Sequence, residues 1–179
     1  MEKLTKCITS LRENLCVRPI MWTIPLSIGV VTLILDIITK YLVEARFKGT
    51  EFTESINFLD GFLRIHLVYN RGGVFGIFQG YQHVFLIISI VVLILMIIFW
   101  IFEKNKSMIF NITMSLIVSG AIGNIIDRLV PGREGVVDFI SIGVDGFYRW
   151  PSFNIADSCI VVGAILLIFV FYRSEKSEK

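Results

Sequence analysis

Asp127 and Asp157 stand at the mouths of two hydrophobic runs, and an ionisable group held there is costly unless it does something. Asp127 closes the run that ends Gly-Ala-Ile-Gly-Asn-Ile-Ile-Asp-Arg (120–128), and Asp157 follows Phe-Asn-Ile-Ala at the start of the next. If both runs cross a membrane in succession, the end of one and the start of the other fall at the same face. Two carboxylates in contact at low dielectric do not both ionise; they share a proton and titrate as a unit. The ionised member can take a proton from water while the protonated one donates to a carbonyl oxygen or a leaving amine, and that hydrolyses an amide. The competing reading makes both simple interface residues, Asp157 being favoured by the dipole at a helix start. Spacing alone leaves the two readings level.

The elements that must position these groups are membrane spans. Of 179 residues, 55% are hydrophobic and 18% charged, well under the roughly 25% usual in soluble domains, and the mean hydropathy is +0.75. Four apolar segments, 24–43, 83–102, 108–127 and 155–172, each approach the roughly 20 helical residues that cross about 30 Å of hydrocarbon. A chain this short has too little else to enclose four such helices in a soluble core. Lys3, Lys6, Lys104, Lys106, Lys176 and Lys179 fall in the two tails and the loop 103–107, whereas segments 44–82 and 128–153 hold only Lys48. The positive-inside rule therefore predicts cytoplasmic termini, although Arg46, Arg64, Arg71, Arg128, Arg133 and Arg149 dilute the contrast. We read residues 1–20 as a cytoplasmic extension, 21–173 as one membrane domain and 174–179 as a cytoplasmic tail. The extension lacks the apolar core of a signal peptide and the like-charge block of a nucleic-acid arm, so no nucleic-acid partner is expected.

Between the spans, Leu63, Ile65, Leu67 and Tyr69 alternate with Arg64, His66 and Val68, as in a half-buried strand. Ile56–Leu59 is its expected partner through an Asp60–Gly61 turn. Val136–Ile142 and the region Phe147–Trp150 are further strand candidates. A small sheet on the outer membrane face would use them all, with Trp150 before Pro151 as an interface anchor. Asn70–Arg71–Gly72–Gly73 follows the first strand; its plain reading is a strand-to-helix turn.

Asp36 and Lys40, four apart, share a helix face and read first as a structural ion pair, with Lys40 free to snorkel outward. Asn124 and Asn154 each precede an aspartate by three residues, so each carboxylate gains an amide on its own face, and Asn154 is also an N-cap candidate. Gly120, Gly123 and Ala156 permit close helix packing. Cys7, Cys16 and Cys159 offer no disulfide on the oxidising side, and His66 and His83 have no metal spacing, so neither metal nor cofactor is expected.

Five blocks taken together resemble the motifs of lipoprotein signal peptidase, or signal peptidase II: Asp-Ile-Ile-Thr-Lys (36–40), Asn-Arg-Gly-Gly-Val-Phe-Gly (70–76), Gly-Asn-Ile-Ile-Asp-Arg (123–128), Val-Val-Asp-Phe (136–139) and Phe-Asn-Ile-Ala-Asp (153–157). They occur in the family's order. The resemblance implies an α-helical membrane protein, four transmembrane helices with a small extracytoplasmic β-sheet, acting as a membrane aspartic peptidase on diacylglyceryl-modified prolipoproteins. By motif position Asp127 and Asp157 are the expected catalytic pair. Asp36, Lys40, Asn70, Gly72, Gly123, Asn124, Arg128, Asp138, Asn154 and Ala156 are the expected supporting or substrate-contacting residues. It also implies a membrane-lipid environment, inhibition by globomycin-type cyclic peptides and a monomer. The family's glycine-rich motif usually continues with two alanines, where this chain has Gly73 and Val74. The remaining alternatives are a proton-coupled transporter, a serine–lysine peptidase using Lys40, and a non-catalytic scaffold; carboxylates gathered at one face and no serine beside Lys40 speak against the first two.

Overall fold

The computed structural model describes residues 20–51, 53–73, 78–104 and 106–177, with side chains as far as Arg173. The expectations on Cys7, Cys16, Val74 and nearly all of the 1–20 extension lie outside these residues.

Four helices are long and apolar enough to cross a membrane: α1 (Ile20–Phe47), α2 (Gln82–Phe102), α3 (Met108–Leu129) and α4 (Ile155–Ser177). α3 is the central one, packed against each of the other three. Most of its buried positions are small or polar, because backbones must approach closely where no hydrophobic effect drives association. Thr32 and Ser119 hydroxyls lie 3.0 Å apart between α1 and α3. Ser115 Oγ donates to the Pro25 carbonyl at 2.6 Å. Pro25 has no N–H for the Met21 carbonyl one turn back, and Asn111 Nδ2 supplies the missing donor at 3.1 Å. Asn111 is oriented in turn by Trp100 Nε1, 2.9 Å from its Oδ1. The outward surface is the reverse of a soluble protein's: Val30, Ile34, Ile87, Leu95, Val161 and Ile168 are all exposed, which only lipid accommodates.

α1 is longer than the expected 24–43 span. Its 28 residues extend about 42 Å, and the extra C-terminal turn carries Phe47 into a cluster with Val43, Leu67, Val137 and Phe139. That cluster fastens the sheet to the helices. The sheet runs in the order β1-β2-β3-β4, all antiparallel: β1 (Ile56–Phe58), β2 (Leu63–Asn70), β3 (Val136–Val144) and β4 (Tyr148–Arg149). Ile65, Leu67 and Tyr69 face the cluster, as their alternation predicted. The hairpin turn differs from the expectation. Phe58 pairs with Leu63, so the loop is Leu59–Phe62. Leu59, Asp60 and Gly61 all take positive φ, and the Gly61 N–H closes on the Phe58 carbonyl at 3.1 Å. Leu59 is left largely in the open, so nothing draws it into the ladder. Between Ile65 and Val68 the register with β3 slips by one residue, a bulge that brings Val68 opposite Asp138 and Asn70 opposite Val136.

Candidate active site

Asp138 lies on β3 between Val137 and Phe139. Those two face the core cluster, so strand alternation turns Asp138 to the opposite face. There its Oδ1 accepts Asn154 Nδ2 at 2.8 Å and its Oδ2 accepts Asn70 Nδ2 at 3.1 Å. Asn154 is the N-cap of α4: its Oδ1 accepts the Asp157 N–H at 2.8 Å, while Asp157 Oδ2 accepts the Asn154 N–H at 3.2 Å. One asparagine thus caps the helix that carries Asp157 in its first turn and holds the Asp138 carboxyl. Asp157 Oδ1 is bound by Asn124 Nδ2 at 2.7 Å. The expectation that Asn124 serves Asp127 is corrected: it reaches across to α4, and Asn154 Nδ2 and Lys40 Nζ both donate to its Oδ1 at 3.2 Å.

Asp127 sits in a different setting. Oδ2 meets Lys40 Nζ at 2.7 Å and the Val137 N–H at 3.2 Å, and Oδ1 meets Arg133 Nη1 at 2.6 Å. Both oxygens are committed. Lys40 does not snorkel as expected; at 1% exposure it is enclosed, bound also to Asp36 at 2.7 Å. The reason is that three acceptors around it satisfy the ammonium better than a stretch toward water would. Asp36 completes the link by accepting the Ala156 N–H at 2.9 Å, tying α1 to the first turn of α4. Arg128 donates to the carbonyls of Asn124 and Gly72, each at 3.2 Å. Its buried Nε has no hydrogen-bond partner among the described residues. Gly72 is held by its own N–H on Asn70 Oδ1 at 3.0 Å.

Gly123 decides how closely α1, α3 and α4 meet here. A Cβ at this position would stand 2.5 Å from Asp36 Oδ2 and 3.2 Å from Ala156 Cβ. Gly123→Ala must displace a buried, ion-paired carboxylate and is expected to destabilise the fold by about 1–3 kcal/mol, read as a lower thermal midpoint in detergent.

Burial, and then the neighbouring Asp157 carboxylate, push the pKa of Asp138 well above its ordinary value of 3.8. Above 3.8 the unfolded chain has lost this proton while the folded chain keeps it. The stability contribution is therefore whole below that value and is withdrawn as pH rises through the folded pKa. Thermal unfolding followed from acid to neutral pH should show a falling component that Asp138→Asn removes.

Fold and site together define a four-span membrane protein with a buried cluster of carboxylates, amides and cations at the end of the bundle that bears the sheet. Comparison with known proteins sharpens this class. A family model described as signal peptidase (SPase) II matches residues 28–173. Lipoprotein signal peptidase of Staphylococcus haemolyticus (strain JCSC1435) is 34% identical over 157 residues, covering 88% of this chain and 96% of that protein. The enzyme of the same name from Staphylococcus aureus (strain JH9) is 36% identical over 152 residues, covering 85% and 90%. A bacterial membrane enzyme structure solved by the in meso method at 2.3 Å matches with a TM-score of 0.75 at 34% identity, over 87% of this chain and 91% of that one. The chain belongs to the signal peptidase II family and is a membrane peptidase of the aspartic class.

Glu44, Tyr69 and Arg133 also belong to this cluster and were not among the expected site residues. Tyr69 OH donates to Glu44 Oε1 at 2.9 Å, and Glu44 also pairs with Arg133. A tyrosine on an alternating strand and an arginine on a connecting segment carry no local signal of such a partnership.

Proposed function

We propose that this chain removes the signal peptide from diacylglyceryl-modified bacterial prolipoproteins, cutting on the N-terminal side of the lipidated cysteine, with Asp138 and Asp157 as the catalytic pair. This replaces the Asp127–Asp157 pairing expected from the sequence. The observation that carries it is the position of Asn154, bonded to both Asp138 and Asp157, while both oxygens of Asp127 are taken up by Lys40 and Arg133. Asp127 has both oxygens engaged by fixed partners of the fold, whereas Asp138 and Asp157 are joined through one buried asparagine and are placed to exchange a proton.

Asp157 starts ionised, stabilised by the Asn124 amide, the Asn154 N–H and its place in the first turn of α4. Asp138 starts protonated, because burial and the charge on Asp157 oppose its ionisation. Water attacks the scissile carbonyl as Asp157 takes its proton, and Asp138 donates to the carbonyl oxygen. Collapse of the tetrahedral intermediate breaks the C–N bond as Asp157 gives its proton to the departing cysteine amine and Asp138 takes back the one it lent to the carbonyl oxygen. The Arg128 Nε–H is a donor for substrate backbone beside the pair. Membrane lipid surrounds the spans, and the diacylglyceryl group keeps the scissile bond at the interface where these residues lie. The site end is extracytoplasmic and both termini cytoplasmic, as the lysine distribution supports. The working unit is a monomer in which residues 21–173 form one domain, and globomycin-type cyclic peptides occupy the same site.

The test supplies purified protein in lipid with a diacylglyceryl-modified prolipoprotein, beside the same precursor lacking the lipid, and follows signal-peptide release. Release from the lipidated precursor alone, insensitive to EDTA, is the expected result. Equal cleavage of both precursors, or of neither, would remove the reading.

A further inference from the structure

Arg133 lies on the segment between α3 and β3, outside each of the motifs quoted above, yet it is woven into the site. Its Nη1 donates to Asp127 Oδ1 at 2.6 Å and its Nε to Glu44 Oε1 at 3.0 Å, and Nη2 closes a second contact with Glu44 Oε2. At 12% side-chain exposure, this is not a surface pair that solvent screens away. Glu44, Arg133, Asp127, Lys40 and Asp36 form an unbroken chain of alternating charge from the outer end of α1 to the start of α4.

We infer that Arg133 is a positioning residue for the reaction, acting through Asp127 and Lys40 on the amide of Asn124; the inference rests on the Asp138–Asp157 reading. Lys40 has three N–H donors and three partners. Asp36 and Asp127 lie at 2.7 Å, and Asn124 Oδ1 at 3.2 Å is the most weakly held. Arg133 supplies Asp127 with its second cation, so Lys40 is not drawn wholly onto that carboxylate and keeps its bond to Asn124. With Oδ1 of Asn124 held by Lys40 and Asn154, only Nδ2 can face Asp157, where it donates at 2.7 Å. Without Arg133, Asp127 is a buried carboxylate short of a partner, Lys40 closes on it, and Asn124 is free to turn. The ionised Asp157, the base in this reading, then loses its Asn124 donor, and the acidic limb of the rate profile moves to higher pH.

The experiment uses the whole chain in lipid with a diacylglyceryl-modified prolipoprotein, measuring kcat and KM from about pH 5 to pH 9, with thermal unfolding in parallel. Arg133→Met should lower kcat by about 10–100-fold, the scale for losing a residue that orients a reacting group, while leaving KM nearly unchanged. Its acidic limb should shift upward. Arg133→Lys keeps the charge but not the fork, so it should return the limb toward its original position while recovering only part of kcat. Glu44→Gln, which loosens the guanidinium without removing it, should shift the limb in the same direction by less. In an Asp127→Asn background, Arg133→Met should cost far less, because no charge remains at position 127 for Lys40 to close on. An unmoved acidic limb in Arg133→Met, at any thermal stability, overturns the inference; so does an undiminished cost of that substitution in the Asp127→Asn background. Should Arg133→Met not fold, Glu44→Gln and Arg133→Lys decide by the same limb. Failure of the underlying reading looks different: turnover survives Asp138→Asn, and the Arg133 comparison with Asp127 intact still reads out.

Discussion

Asp138→Asn is expected to reduce kcat by at least about 10²–10⁴-fold, the range that one positioned acid or base contributes, and Asp157→Asn should do the same. Asp127→Asn is expected to lose only about 10–100-fold, as a residue that positions others does. The contrast follows from what each carboxylate touches. Asp138 is held by two amide donors, from Asn70 and Asn154, and among the described residues it pairs with no cation. An asparagine there keeps one acceptor and most of the shape but cannot transfer a proton. Asp127 meets Lys40 and Arg133, and an asparagine can still accept from one of them. The measurement is single-turnover release of signal peptide by each variant in lipid, with thermal unfolding confirming that all three are folded. Turnover that survives Asp138→Asn but vanishes in Asp127→Asn would return the catalytic role to Asp127. The pair should also titrate as a unit, so the two limbs of the wild-type rate profile belong to both residues together.

The spans were legible because a run of about 20 apolar residues has few other uses, and Asp36–Lys40 because i and i+4 share a helix face. The motif residues were legible as a set, but their partnerships were not. Helical periodicity put Asn124 beside Asp127, three residues away, yet the asparagine spends its amide on α4. That choice depends on how α3 and α4 are turned toward each other. Asp138 is brought to Asn70 and Asn154 by the β2–β3 register, which a bulge between Ile65 and Val68 resets. No local pattern announces that bulge, and shifting a strand by one residue exchanges its faces. Snorkelling was a sound default for Lys40 near a helix end, but it fails when Asp36, Asp127 and Asn124 surround the ammonium. Arg133 was invisible because its partners lie on α1 and α3, and its own segment has no periodicity to read.

Lys40→Met should be the most destabilising single change in the site, by about 3–5 kcal/mol, because it removes one partner from a buried ionic cluster and leaves the others uncompensated. Lys40 is 1% exposed and joins Asp36 on its own helix to Asp127 and Asn124 on α3. Methionine fills most of the volume but offers no proton. Asp36 would retain only the Ala156 N–H, and Asp127 would retain Arg133 and the Val137 N–H. The deficit falls mainly on Asp36, so Asp36→Asn combined with Lys40→Met should recover much of the lost stability by removing the orphaned charge along with its partner. It should not restore turnover, because Asn124 would still lack the donor that helps turn its amide toward Asp157. Thermal unfolding and signal-peptide release, measured on the same preparations, separate the two effects. Recovery of both together would mean that Lys40 serves stability alone. Recovery of stability without turnover would assign it to both the fold and the orientation of the reacting carboxylate.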